Sequence, residues 1–82
     1  SLADQIAAQE LYLASLNITL QRATALYRLG AASYIEVLSA QRDIFTTRQT
    51  LLELNYFRQA NEITLFIALC GGWMEQPKES RS

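Results

Sequence analysis

Between Leu2 and Leu29, apolar side chains return every three or four residues, at Leu2, Ile6, Leu13, Leu16, Leu20, Ala23 and Tyr27. That spacing is the signature of one helical face. A second stripe runs beside the first, through Ala7, Leu11, Ala14, Ile18, Ala25 and Leu29. Two adjacent stripes make a wide apolar face, so this helix is expected to touch more than one neighbour. No proline or glycine interrupts the segment, and Ala, Leu, Gln and Arg, which lose little rotamer freedom in a helix, dominate it. The pattern predicts a helix over about 2–29.

The break comes at Leu29-Gly30-Ala31-Ala32-Ser33. Gly30 suits the left-handed position just past a helix end, and Arg28 in the last turn faces the negative end of the dipole. Ser33-Tyr34-Ile35-Glu36 then has the spacing of a capping box, with Ser33 accepting from the Glu36 N–H and Glu36 reaching back to the Ser33 N–H. A stop and a start this close predict a tight turn at 30–33 and an antiparallel αα-hairpin.

The second helix is predicted from about 34 to 70, roughly 54 Å at ~1.5 Å per residue. Its apolar positions hold a heptad beat in two lanes, Val37, Ile44, Leu51 and Leu38, Phe45, Leu52, with Phe66 two heptads on. A sustained heptad indicates coiled-coil-like packing. The beat is interrupted at Arg58 and Gln59, and Ser39, Asp43, Thr46, Thr50 and Glu53 mark a face suited to water. The run Ile63 to Leu69 continues the helical pattern and reads as a buried helix end. Gly71-Gly72 is the expected stop, Trp73 is a candidate for a membrane interface, and residues 75–82, with Pro77, read as a polar tail.

Charge and chemistry narrow the function classes. Seven basic residues against eight acidic ones provide no concentrated basic face for nucleic acid. There is no His in the 82 residues, so the usual general base and a Cys/His zinc set are both missing. Glu36, Asp43, Glu53 and Glu62 are spread along a rod instead of converging, so no catalytic, cofactor or metal site is expected and the chain is not expected to be an enzyme. Cys70 has no internal disulfide partner and reads as a small residue packed near a helix end. Arg58 and Glu62, at i and i+4, are expected to pair on the surface. The longest apolar run, Leu65 to Cys70, is far short of the ~20 residues a membrane-spanning helix needs. No signal-peptide pattern opens the chain, so either the protein is cytosolic or its targeting signal lies outside these residues.

The stretch Leu26-Tyr27-Arg28-Leu29-Gly30-Ala31-Ala32-Ser33-Tyr34-Ile35-Glu36-Val37-Leu38-Ser39-Ala40-Gln41-Arg42 resembles the periplasmic-tip motif of TolC-type outer-membrane efflux proteins. Asn61-Glu62-Ile63-Thr64-Leu65-Phe66-Ile67-Ala68-Leu69-Cys70-Gly71-Gly72-Trp73 is similar to the family's last helix and its ALGGGW-like ending. The wording from Tyr12 to Leu20 is similar to the copper/silver-exporting branch. The resemblance extends over roughly residues 5–74, and makes residues 1–74 a periplasmic hairpin.

The resemblance implies a homotrimer whose helices form a hollow α-barrel through the periplasm, continued by a β-barrel in the outer membrane from parts not in this chain. Such a barrel is the passive exit duct of a tripartite pump for metal cations or drugs, and works with a periplasmic adaptor (a membrane-fusion protein) and an inner-membrane RND transporter. By position, the adaptor-docking tip falls on Leu29, Gly30, Ala31 and Ser33, and the pore constriction on Tyr27, Glu36, Ser39 and Arg42. Many relatives carry Asp where this chain has Ser39, which leaves Glu36 as the acid of any charged gate. The glycine usual at the position of Cys70 is also replaced, which is expected to extend the last helix slightly. The alternative reading is an autonomous helical hairpin that dimerises into a four-helix bundle. On either reading the isolated piece is expected to self-associate, because Leu16, Leu20, Phe45 and Leu52 would be inadequately covered by one helix–helix contact.

Overall fold

The computed structural model describes the backbone of residues 1–79 and the side chains of residues 1–72. It is all-α: α1 spans Leu2–Arg28 and α2 spans Tyr34–Glu79. The two pack along each other as one antiparallel hairpin about 80 × 15 × 13 Å in extent. Ser1 caps α1 through a hydroxyl that accepts from the Asp4 N–H at 3.3 Å, while Asp4 reaches back to the cap backbone.

The helix stop at Gly30 is as expected, and its hydrogen bonds show why it works. Gly30 takes a φ of +74°, the only left-handed residue among those described. That conformation lets the Gly30 N–H donate to the Tyr27 carbonyl at 2.9 Å and the Ala31 N–H to the Leu26 carbonyl at 2.8 Å. Two carbonyls orphaned by the end of α1 are thereby satisfied. The start of α2 differs from expectation. Ser33 Oγ accepts from the Ile35 N–H at 3.3 Å, and the Glu36 N–H donates to the Ser33 backbone carbonyl at 3.2 Å. Ser33 is therefore an N-cap, but the reciprocal Glu36 side-chain bond of a capping box is not made. With its N–H already taken by a backbone oxygen, Glu36 leaves its carboxylate exposed.

The far end of α2 also departs from expectation. Gly71 and Gly72 do not end the helix, and residues 75–79 of the expected tail continue it. Glycine within a helix costs only about 1 kcal/mol. A real stop needs the left-handed turn that Gly30 makes, and neither Gly71 nor Gly72 adopts it. Residues 80–82, and the side chain of Trp73, lie outside the described residues.

The core is a single seam. From α1 it takes Ile6, Leu16 and Ala23, and from α2 Val37, Ala40, Ile44 and the hydroxyl-bearing Thr47. The α1 residues belong to its first stripe, and in α2 Val37 and Ile44 belong to the Val37–Ile44–Leu51 lane, with Ala40 and Thr47 each three residues further on the same face. The second stripe and second lane face outward: Leu11 is 75% exposed and Phe45 65%. Leu16, expected to be poorly covered, is instead 7% exposed, and Leu20 is half-buried. Both lie on the stripe that one neighbour suffices to cover.

At ~1.5 Å per residue, the 27 residues of α1 reach about 40 Å and the 46 of α2 about 69 Å, so the register sets the far part of α2 past the α1 residues present here. Every described residue from 61 to 72 is exposed. The run Ile63 to Leu69 is thus helical as expected but not buried, and Cys70 is exposed, not packed.

Candidate functional site

The turn presents Leu29, Gly30, Ala31 and Ser33 at one end of the rod, all exposed. Leu29 is 80% exposed despite being the C-cap of α1. A Cβ added at Gly30 would meet nothing within 4 Å, so only the backbone angle restricts that position. All the expected tip residues therefore sit together on one free surface.

The residues assigned to a constriction are divided among different faces. Glu36 and Ser39 line one side of the hairpin, in an open groove of ≈ 460 Å³ that they share with Thr19, Arg22 and Asp43. The spacing 36, 39, 43 keeps one face of α2 toward the groove, and 19, 22 matches it on α1. Arg42 does not line this groove; its side chain is 77% exposed, with its Nε 4.0 Å from Asp43 at the groove's edge. Tyr27 is not in the groove either. Its ring packs on Tyr34, with centroids 4.9 Å apart and planes at 57°. The opposite side of the hairpin is a second groove, lined by Asn17, Leu20, Gln41, Phe45 and Arg48.

Sequence reasoning missed Arg22 and Asp43 as groove-lining charges. The helical spacing from Glu36 to Asp43 was available, but the pairing that brings Arg22 to the same side was not. It also missed Thr47, which is buried among apolar neighbours because its hydroxyl donates to the Asp43 carbonyl at 2.7 Å, leaving no unmet polar group. Arg58 and Glu62 pair as expected, at 4.0 Å and well exposed, a contribution of a few tenths of a kcal/mol. Among the described residues, no group of three or more His, Cys, Asp or Glu side chains is placed to hold a metal ion. No helix among the described residues is long and apolar enough to cross a membrane. What this arrangement can offer is surface: a bare tip, two grooves and two outward apolar lanes.

Known proteins resemble this chain in sequence and in fold. "Cation efflux system protein CusC" of Escherichia coli O157:H7 is 67% identical over 75 residues, 92% of this chain and 16% of that protein. "Probable outer membrane lipoprotein SilC" of Salmonella typhimurium is 61% identical over 75 residues, again 92% of this chain and 16% of that protein. A crystal structure of CusC superposes with a TM-score of 0.82 at 70% identity, covering 84% of this chain and 20% of that one. The chain thus spans 16% of the length of these curated relatives. The family model described as "Outer membrane efflux protein" matches residues 1–71. By that match, which takes in both the turn and the long second helix, the chain belongs to the outer membrane efflux protein family.

Proposed function

We propose that this chain is the periplasmic helical hairpin of an outer-membrane channel, the passive exit duct of a tripartite pump for metal cations such as copper or silver. The observation that carries this reading is 67% identity, across 92% of the chain, to a cation efflux protein. The outward apolar lanes support it, since a hairpin wall needs neighbours on both flanks. In the complete assembly those neighbours are helices of a homotrimer. A periplasmic adaptor meets the tip at Leu29, Gly30, Ala31 and Ser33, and an inner-membrane RND transporter supplies the energy. The duct performs no enzymatic step.

Within the same reading, Glu36 and Ser39 present the polar first turns of α2 to the lumen, with Arg42 on the flank and Tyr27 bracing the turn. Glu36 then stands alone as the acid at that level, with Arg22 and Asp43 deeper in the groove. The exposure of Glu36 and its freedom from capping duty support this role.

The test is a chimera. The 75 matched residues of this chain replace the corresponding stretch of the E. coli cation efflux protein in a strain lacking its own copy. Restored tolerance to copper and silver salts is the expected result. Outer-membrane trimers that restore no tolerance would overturn the reading. Restored tolerance to organic toxicants alone would move the cargo from cations to drugs.

A further inference from the structure

We propose that the hairpin carries a built-in bending point where residues 12–19 of α1 lie beside residues 43–51 of α2. The antiparallel register brings these segments together: Thr19 shares one groove with Asp43, and Asn17 shares the other with Phe45 and Arg48.

In this cross-section, side chains compete with the helical ladder on both sides. In α1, Ser15 donates to the Tyr12 carbonyl, Asn17 to Leu13 and Thr19 to Ser15, at 2.7, 3.1 and 3.1 Å. In α2, Thr47 donates to Asp43, Thr50 to Thr46 and Asn55 to Leu51, at 2.7, 3.2 and 2.9 Å. Each of these carbonyls is also needed by a backbone N–H of the next turn. A shared acceptor weakens that rung, and such back-bonding bends helices. All the acceptors fall between residues 12–15 and 43–51, one band of the rod.

Composition points the same way. Ser15, Asn17, Ile18 and Thr19 share the band with Ile44, Thr46, Thr47 and Thr50, all weaker helix formers than the Ala, Leu, Gln and Arg that dominate α1. The seam holds the two helices together here through Leu16 and Ile44, but it does not restore the shared rungs. Thr47 is the buried polar side chain of the core, and its hydroxyl bonds its own helix instead of bridging to α1. On the turn side, Ala23, Val37 and Ala40 are buried and Tyr27 packs on Tyr34, so that third tilts as a unit. The inference depends on the hairpin alone and not on the efflux reading.

Amide hydrogen exchange resolved along the 82-residue chain tests it. The amides of Asn17, Thr19, Thr47, Thr50 and Asn55 should exchange roughly tenfold faster than those of residues 23–26 and 37–40 on one side and 56–58 on the other. The variant Asn17→Ala/Thr19→Ala/Thr50→Ala leaves the buried seam untouched and should bring residues 17, 19 and 50 to the rate of the flanks while Thr47 stays fast. Uniform exchange, a smooth gradient from the turn to the far end, or a variant with the original pattern would each overturn the proposal.

Discussion

Tyr27, in the last turn of α1, lays its ring against Tyr34, in the first turn of α2, with centroids 4.9 Å apart and planes tilted by 57°. Tilted contact suits the ring quadrupoles better than face-to-face stacking. It joins the two helices across the turn, where the chain reverses, with both rings still nearly half exposed. In a double-mutant cycle with Tyr27→Leu and Tyr34→Leu, the pair should show a coupling of about 0.5–1 kcal/mol. Additive losses in thermal unfolding would mean that the rings are neighbours without being partners.

Ser33 and Glu36 separate by the same kind of measurement. Ser33→Ala removes the acceptor of the Ile35 N–H and should cost about 1 kcal/mol of hairpin stability. Glu36→Ala should cost only the few tenths of a kcal/mol of a first-turn acid at a helix N-terminus, because the carboxylate makes no reach-back bond. A loss of about 1 kcal/mol or more for Glu36→Ala would restore the capping box and weaken the case for a lumen-facing Glu36.

Gly30 combines an angle constraint with open space. Its φ of +74° penalises any Cβ by roughly 1 kcal/mol, yet no atom obstructs a side chain there. In the complete channel, Gly30→Leu should leave trimers in the outer membrane while abolishing export and adaptor cross-linking, through sterics at the docking tip. Normal export would reduce Gly30 to a helix stop, and loss of trimers would place its role in folding.

The outward lanes make the isolated chain sticky. Leu11, Phe45 and Leu52 stand 75%, 65% and 68% exposed, and the unpaired end of α2 adds Ile63, Phe66 and Leu69. An exposed apolar area of this kind drives association. Sedimentation at micromolar concentration should find dimers or larger species, consistent with a four-helix core. A stable folded monomer is the result that would count against it.

Much of this molecule was legible in the order of its residues. The two stripes of α1 and the two heptad lanes of α2 announced a wide-faced hairpin, because helical period alone determines which side chains share a face. Gly30 followed by Ser33 placed the turn, since both act through backbone groups within a few residues. The tip was readable for the same reason: Leu29, Gly30, Ala31 and Ser33 are contiguous. What periodicity left undecided was which stripe meets the partner helix. The contact chose the stripe through Leu16 and Ala23, burying Leu16 and leaving Leu11 outside. Pairing likewise brought Arg22 into the groove of Glu36, Ser39 and Asp43, left Arg42 outside its lining, and set Tyr27 on Tyr34. Such relations join residues of different helices, and depend on register and rotation about two axes. The exposure of residues 61–72 depended on register, which sets them past the α1 residues present here. The apolar run Ile63–Leu69 accordingly specifies a helix, while its burial requires a neighbouring helix.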